Sequence, residues 1–490
     1  MLARVIETAR GRLASTPLAT GAAILAAAVA SGIAARQNPS EAHPPKRGHR
    51  PNVVVVMTDD QAVGDLRVMH RTRRLLARKG VTFRNYFTTF PECCPSRATY
   101  LTGQYDHNEG VSTNRCFSDL DQSTTMAVAL QRAGYRTGWV GKFLNGYPGF
   151  AHDNPEDIPQ GFSRWWGETR GLMYKGRVDA NGTIKIFRHR YLTNVYADLG
   201  ARFIRRSAAS GSPFWLTVAT LAPHGEPKRK GLYPNPRPAP QDRGAFRDAP
   251  LPRPPSFNER DVRDKPRFLR YPRLQPDEIR DLRKRYHSRL ESLLAVDRLV
   301  AKLVRQVRAA HQLRNTWFIF TSDNGFMLGE HRMVGKKKLY EESERVPLII
   351  RGPRGKLPRG AVRRQLTGNV DLAPTILRIA GAAPLDVVDG RSLLPLARDR
   401  KAGHGRAILY SNQEAVGVRV PGWVLIEHDQ DHDGTPDAFE LYDLRRDPYE
   451  LRNLYRRSLD AKRHPHLAAV RERLAARLAE LRSCSGAGCR

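Results

Sequence analysis

Cysteine is scarce, with five in 490 residues, which excludes a small scaffold held by disulfides. Glycine numbers 39, far too few for a collagen-like chain. No run beyond residue 35 approaches membrane length, so a multi-span membrane protein is excluded. Zinc-finger spacings, internal repeats and an isolated basic tail are all missing. Apolar residues make up 40% and aromatics 8%. That apolar share is below the usual one, but in a chain this long it still supplies a sizeable core. It falls in strand- and helix-sized clusters, which argues against wholesale disorder. Acid is also short: 49 Asp and Glu stand against 82 Lys and Arg, a formal charge of +33. Such a balance suits a polyanion such as nucleic acid, acidic lipid or a sulfated polymer. The basic residues, mostly Arg, are spread along the whole chain. They read either as a generally Arg-rich composition or as a surface for a polyanionic substrate, and nothing in their spacing points to a specific nucleic acid.

The cysteines are Cys93, Cys94, Cys116, Cys484 and Cys489. A bridge between adjacent Cys93 and Cys94 would be strained. Cys484 and Cys489 close a short loop and suit a disulfide in an oxidising compartment. The odd count leaves a thiol for another task. At the start, Arg4, Arg10 and Arg12 precede a small, apolar stretch over 17–35 with Ala28-Val29-Ala30 inside it. This reads as a cleaved export signal, with an uncleaved membrane anchor or an Ala-rich helix as alternatives. Residues 36–50 read as a linker, 51–400 as a catalytic domain, 401–483 as a C-terminal α+β subdomain and 484–490 as a tail.

The run 52–58 (NVVVVMT) is β-branched and apolar throughout, the pattern of a strand buried on both faces. Further strands are expected at 136–140, 214–220, 317–321 and 347–351, and helices at 71–78, 124–133, 191–206 and 284–309. Strands alternating with helices imply βαβ units, hence an α/β fold with a large, mostly parallel sheet between helices. Residues 225–275, rich in Pro, Arg and Asp, read as a long excursion with little regular structure. After about residue 400 the texture changes. Strands at 408–411, 416–420, 423–427 and 439–443 and a helix at 466–481 predict a small antiparallel sheet with one helix.

Four polar clusters follow predicted strands: Asp59-Asp60, Gly141-Lys142, Pro223-His224 and Asp323-Asn324-Gly325. Each alone reads as a turn. In a doubly wound sheet, however, the C-terminal strand ends open at one edge, where ligands bind. The carboxylates and the amide offer hard oxygen donors, which suit Ca²⁺ or Mg²⁺ rather than zinc. In the run 93–103 (CCPSRATYLTG), Pro95 is placed to open a helix. Cys93 would then sit just before a helix N-terminus, where N–H groups favour an anion. The alternative is a buried structural thiol.

That run, C-x-P-S-R-x-x-x-L-T-G, resembles the signature of the formylglycine-dependent sulfatases, members of the alkaline-phosphatase-like superfamily. The resemblance extends from about Asn52 to Leu454. It includes Gly329-Glu330-His331, Lys336, Leu339-Tyr340-Glu341, Val370-Asp371-Leu372-Ala373-Pro374-Thr375, Asp389-Gly390-Arg391 and Glu440-Leu441-Tyr442-Asp443-Leu444. It implies that Cys93 is oxidised to Cα-formylglycine by a dedicated formylglycine-generating enzyme. It further implies that Asp59, Asp60, Asp323, Asn324 and the modified Cys93 hold one Ca²⁺. Arg97 would stabilise the aldehyde hydrate. Lys142, His224 and Lys336 would grip the sulfate, and His224 or Lys336 would protonate the leaving alcohol. Many members carry a His two residues after the first active-site Lys, and Leu144 stands there instead. Lys142-Phe143-Leu144-Asn145-Gly146-Tyr147 and Tyr105-Asp106-His107-Asn108 resemble the N-acetylglucosamine-6-sulfatase and arylsulfatase branch. A sulfated amino sugar or glycosaminoglycan is the substrate this implies. The rivals are a phosphonate monoester or phosphodiester hydrolase on the same fold, and a non-catalytic polyanion-binding protein.

Three further features have two readings each. Asp429-x-Asp431-x-Asp433-Gly434 with Glu440 fits the calcium-loop pattern, but its strand-like flanks favour an acidic hairpin turn. His331 is either near the metal or a plain loop residue. Arg115 and Tyr147 are candidates to line a sugar site.

Overall fold

The computed structural model describes residues 50–148, 158–226, 234–402 and 406–490. The export or anchor segment expected over 1–35 lies outside them, as does nearly all of the linker. Ten strands form the main sheet: β1 (Asn52–Thr58), β2 (Val81–Phe83), β3 (Arg136–Gly141), β4 (Arg164–Glu168), β5 (Gly176–Asp179), β6 (Ile184–Phe187), β7 (Phe214–Ala219), β8 (Thr316–Ser322), β9 (Leu348–Arg351) and β10 (Ala361–Arg363). Their order is β10-β2-β9-β8-β1-β7-β3-β4-β5-β6. The middle five, β8-β1-β7-β3-β4, run parallel. Antiparallel pairings occur only towards the two edges.

β1 shows why the centre is where it is. Val53, Val55 and Met57 enter one core and Val54 and Val56 the other. A strand buried on both faces needs side chains that pack on each side, and a β-branched run provides them. On one face lie α2 (Cys93–Thr102), α3 (Met126–Arg132) and α6 (Leu372–Ala380). On the other lie α1 (His70–Leu75), α4 (Leu192–Ala209) and α5 (Pro276–Ala309). The last begins well before the expected residue 284. Pro276 sits in its first turn, and the Glu278 carboxylate accepts from the N–H of Gln275 at 2.8 Å, a reciprocal capping contact that fixes the start.

β4, β5 and β6 are an extension that sequence periodicity did not reveal. The excursion between β7 and α5 carries only two short 3₁₀ turns among its described residues. The C-terminal strands β11 (Ile408–Ser411), β12 (Ala415–Val420), β13 (Trp423–His428) and β14 (Ala438–Asp443) form an antiparallel meander backed by α7 (Pro465–Arg482). Cys484 and Cys489 are bonded. The Cys484 carbonyl accepts from Asn108 Nδ2 at 2.9 Å, so the end of the chain is tied to the segment that follows α2. Among the described residues, no helix is long and apolar enough to cross a membrane.

Candidate active site

All four polar clusters stand at the C-terminal ends of parallel strands. Asp59 and Asp60 follow β1, Lys142 follows β3, His224 follows β7, and Asp323 and Asn324 follow β8. Two backbone features deliver them. Gly141 has φ +102°, and a Cβ there would stand 2.0 Å from the Ala219 carbonyl oxygen, so only glycine lets the chain turn Lys142 inward. Asp60 has φ +66°, a left-handed conformation that Asp tolerates better than most residues. Its N–H donates to Asp323 Oδ1 at 3.1 Å, which locks it there.

Cys93 lies inside α2, not before it. Glu92 takes the N-cap position, and Pro95 falls in the first turn, where its missing N–H costs no helical bond. Cys93 is buried and is the one free cysteine. Its Sγ lies 3.4 Å from Asp59 Oδ1 and 2.7 Å from Lys336 Nζ. Lys336 Nζ also contacts Asp60 Oδ1 at 2.6 Å and Asn324 Oδ1 at 3.5 Å. Lys142 Nζ is 2.5 Å from Asp59 Oδ2. His224 presents Nε2 to Asp60 Oδ2 at 3.7 Å, while its Nδ1 meets the Gly225 carbonyl at 2.6 Å. Arg97 lies wholly buried beneath. It donates to Asp323 Oδ2 from Nε at 2.9 Å, to Asp59 Oδ2 at 3.3 Å and to the Lys142 carbonyl at 2.6 Å.

The electrostatics follow from this packing. Burial favours protonated carboxyls, but Lys142, His224 and Arg97 hold Asp59 well below the usual carboxylate range. Lys336 and His224 do the same for Asp60. For Asp323, burial and the Asp59 charge outweigh Arg97, and its pKa is raised. Burial lowers that of His224 against the pull of Asp60 and Asp59. Lys142 and Lys336 are raised despite burial, chiefly by Asp59 and Asp60 respectively. Burial, then the Asp59 charge, pushes the Cys93 thiol up to about 12. As encoded it stays protonated near neutrality and is a poor nucleophile.

The donor set suits a hard divalent cation. Ligand atoms of Asp59, Asp60, Cys93 and His224 all lie within 4.8 Å of one another. The Lys336 ammonium, itself a cation, already draws in Asp60, Asn324 and Cys93. Asp323 is engaged differently from the other acids. One oxygen is on Arg97 and the other accepts the N–H groups of Asp60 and Asn324.

The remaining candidates lie elsewhere. Leu144 is buried in the core and carries no titratable group. His331 is fully buried, with Nδ1 on Glu259 Oε2 at 2.7 Å and its ring stacked on Tyr340. Tyr147 is buried among aromatics and accepts from Trp165 Nε1 at 2.7 Å. Arg115 is exposed beside Cys116. Asp429, Asp431 and Asp433 cluster in the hairpin between β13 and β14. Glu440, however, turns to the core, bonded to His428 at 2.8 Å and Tyr340 at 2.9 Å. Sequence reading missed the Cys94–Cys116 disulfide and Asn114, whose Oδ1 accepts from Cys94 N and Asn145 Nδ2. The signal for the disulfide was the pair of cysteines left once Cys93 and the terminal pair were set aside.

The family model for Sulfatase matches residues 51–382, and that for N-sulphoglucosamine sulphohydrolase, C-terminal, matches 329–483. An arylsulfatase of Volvox carteri is 32% identical, over 90% of this chain and 76% of its own. The N-acetylglucosamine-6-sulfatase of Capra hircus is 30% identical, over 91% of this chain and 86% of its own. A protein solved in complex with its substrate D-glucosamine-2-N,6-O-disulfate shares the fold, with TM-score 0.69 and 24% identity over 86% of this chain and 97% of the other. With the signature run at Cys93 and the strand-end residues gathered around it, the chain belongs to the sulfatase family and is a sulfuric ester hydrolase.

Proposed function

We propose that this enzyme removes sulfate by S–O cleavage from a sulfated amino sugar or glycosaminoglycan-like polymer, using Ca²⁺ and a formylglycine formed from Cys93. The observation that carries the reading is the setting of Cys93. It is buried at a helix start, beside Asp59, with the Lys336 ammonium 2.7 Å from its sulfur. The relatives named for N-acetylglucosamine-6-sulfate and the charge of +33 support the substrate class.

Asp59, Asp60 and Asn324, with Asp323 behind them, would hold Ca²⁺. The ion would stabilise charge on sulfuryl oxygens, and the oxidised residue 93, as an aldehyde hydrate, would supply an oxygen nucleophile. The chain's own groups do the rest. Lys142, Lys336 and His224 offer cationic or N–H donors to the sulfate oxygens in a buried site, where such contacts are strongest. The Nδ1–H of His224 is held by the Gly225 carbonyl, so a second proton on this ring goes to Nε2, the atom facing the site. From there it passes to the departing alcohol. Arg97 is a positioning residue that keeps the Asp59 and Asp323 carboxylates oriented. Leu144 accepts no proton, and His224 supplies the imidazole.

Residues 51–400 form the catalytic domain and 401–483 the C-terminal subdomain in this reading. A formylglycine-generating enzyme is the partner that modifies Cys93. Export to the cell envelope or beyond suits the two disulfides. The test is peptide mass spectrometry across Cys93 in native material, paired with hydrolysis of N-acetylglucosamine-6-sulfate and of phosphate mono- and diesters. A loss of about 18 Da, the change from thiol to aldehyde, with sulfate release is the expected result. A free thiol at residue 93, or faster phosphate than sulfate hydrolysis, would sink it.

A further inference from the structure

A pocket lined by cations lies on the far edge of the main sheet. β9 runs antiparallel to β8, so Arg351 pairs with Phe318 near the start of β8, not with the end that leads to Asp323. Lys79 precedes β2 and Arg359 precedes β10. Both strands begin at this same edge, because Val81 pairs with Ile350 and with Ala361. Arg314 lies just ahead of β8. Lys79, Arg314, Arg351, Arg354 and Arg359 line one pocket of about 860 Å³ whose walls include no acidic residue. It stands about 16 Å along the strand direction from Asp323.

Among the described residues none of these five cations has an acidic partner, as holds for many cations in a chain with 82 Lys and Arg against 49 Asp and Glu; what sets these five apart is that they share one pocket. Arg351 is held in place. Its guanidinium lies 5.5 Å from the Phe318 ring centre, and one N–H donates to the Leu75 carbonyl at 2.9 Å. Pro353 and Lys356 close a turn that sets Arg354 at the rim. Burial and the unrelieved repulsion of Arg308 and Arg359 lower the pKa of Arg351. An anion would relieve that repulsion. A cluster of guanidinium groups presents forks that match the oxygens of sulfate or phosphate groups.

We propose that this pocket is an exosite that holds a segment of a sulfated polysaccharide remote from the catalytic centre. The choice of a sulfated polysaccharide rests on the substrate reading above. The cationic pocket itself does not. Because it lies away from Cys93 and from the strand ends that carry Asp59, Lys142 and Asp323, it would retain the enzyme on polymer and leave cleavage of small esters unaffected.

The test measures binding of a heparin-derived octasaccharide to the full chain as a function of salt. Arg354→Glu/Arg359→Glu is compared with Arg456→Glu/Arg457→Glu, an exposed pair outside the pocket that makes the same change in net charge. The pocket variant should lose about tenfold in affinity, with a salt slope shallower by about two, one for each ion contact removed. The control pair should stay within about twofold of the parent, and both should melt as the parent does. Equal losses in the two variants, or none in the first, overturn the proposal. So does a pocket variant that loses binding to duplex DNA but not to heparin. Hydrolysis of a sulfated monosaccharide is measured in parallel. A pocket-specific loss of heparin binding in a protein that hydrolyses no sulfate ester upholds the exosite, while the substrate reading falls.

Discussion

Lys336 Nζ lies 2.7 Å from the sulfur of Cys93 and 2.6 Å from Asp60 Oδ1. One ammonium thus joins the residue that carries the signature to the acid that ends the central strand. Replacing it by Met should remove charge stabilisation from the reacting sulfate and leave the fold intact, because the site's other cations remain. A fall of about 100- to 1000-fold in kcat/KM on a sulfate ester is expected. Steady-state kinetics check this, and a variant with near-parental kcat/KM would remove Lys336 from the chemistry.

Arg97 has the opposite profile. It is fully buried and bridges Asp59 and Asp323. Arg97→Ala leaves the buried Asp323 carboxylate without its ion-pair partner, while Asp59 keeps Lys142, which should cost about 3–5 kcal/mol of stability. Denaturant unfolding measures it. Arg97→Lys keeps a charge but not the fork, so it should recover only part of the loss.

The Cys94–Cys116 bridge closes a loop of sequence separation 22 next to the signature residue. Its removal as Cys94→Ser/Cys116→Ser should lower stability by about 3 kcal/mol. The proposed conversion of Cys93, read as its mass change, should persist in whatever folds. Loss of that modification at unchanged stability would assign the bridge a chemical role instead.

Glu440 gives a pH-dependent signature within the C-terminal sheet. Burial would raise its pKa, but the hydrogen bond and charge of His428, with Lys265, bring it down to about 2. A folded-state pKa below the unfolded value means that the group stabilises above the unfolded pKa of about 4.3, and that this is lost as pH falls towards 2. Glu440→Gln should therefore destabilise by up to about 3 kcal/mol at pH 7, with the gap to the parent closing below about pH 3. A gap that is constant with pH would exclude the linkage.

His224 titrates in the other sense. Burial holds its pKa below the ordinary imidazole value, so its protonated fraction falls as pH rises through the acid side of neutrality. For an ester with a poor leaving alcohol, kcat/KM should decline along that limb. For a nitrophenyl sulfate, whose leaving group needs no proton, the limb should flatten. Identical profiles for the two esters would remove His224 as the acid.

Much of this was legible in the residues. Alternation cannot be seen in a strand buried on both faces, yet the β-branched run at 52–58 identified β1 to the residue. The strand-end positions of Asp59, Lys142, His224 and Asp323 followed from the rule that open α/β sheets bind ligands at that edge. The clusters carry the donor types themselves, so their chemistry needed no coordinates. The meander at 408–443 was equally clear, because its strands are short, separated by turns and free of intervening helices.

Other features are products of tertiary pairing. β4 to β6 are four or five residues each, with Arg, Lys, Gly and Asp set among their apolar residues, and they become strands because β3 offers its edge to β4, β4 to β5 and β5 to β6. Helix α2 starts at Cys93 because Glu92 adopts the N-cap, a choice that Pro95 in the sequence pointed away from. Lys336 reaches Cys93 across 243 positions of chain, and the five cations at the far edge come from segments that meet only when β2, β8, β9 and β10 assemble. Local side-chain pattern sets which stretches become strands and which groups they carry. The order of strands in the sheet, fixed by nonlocal burial, decides which of those groups meet.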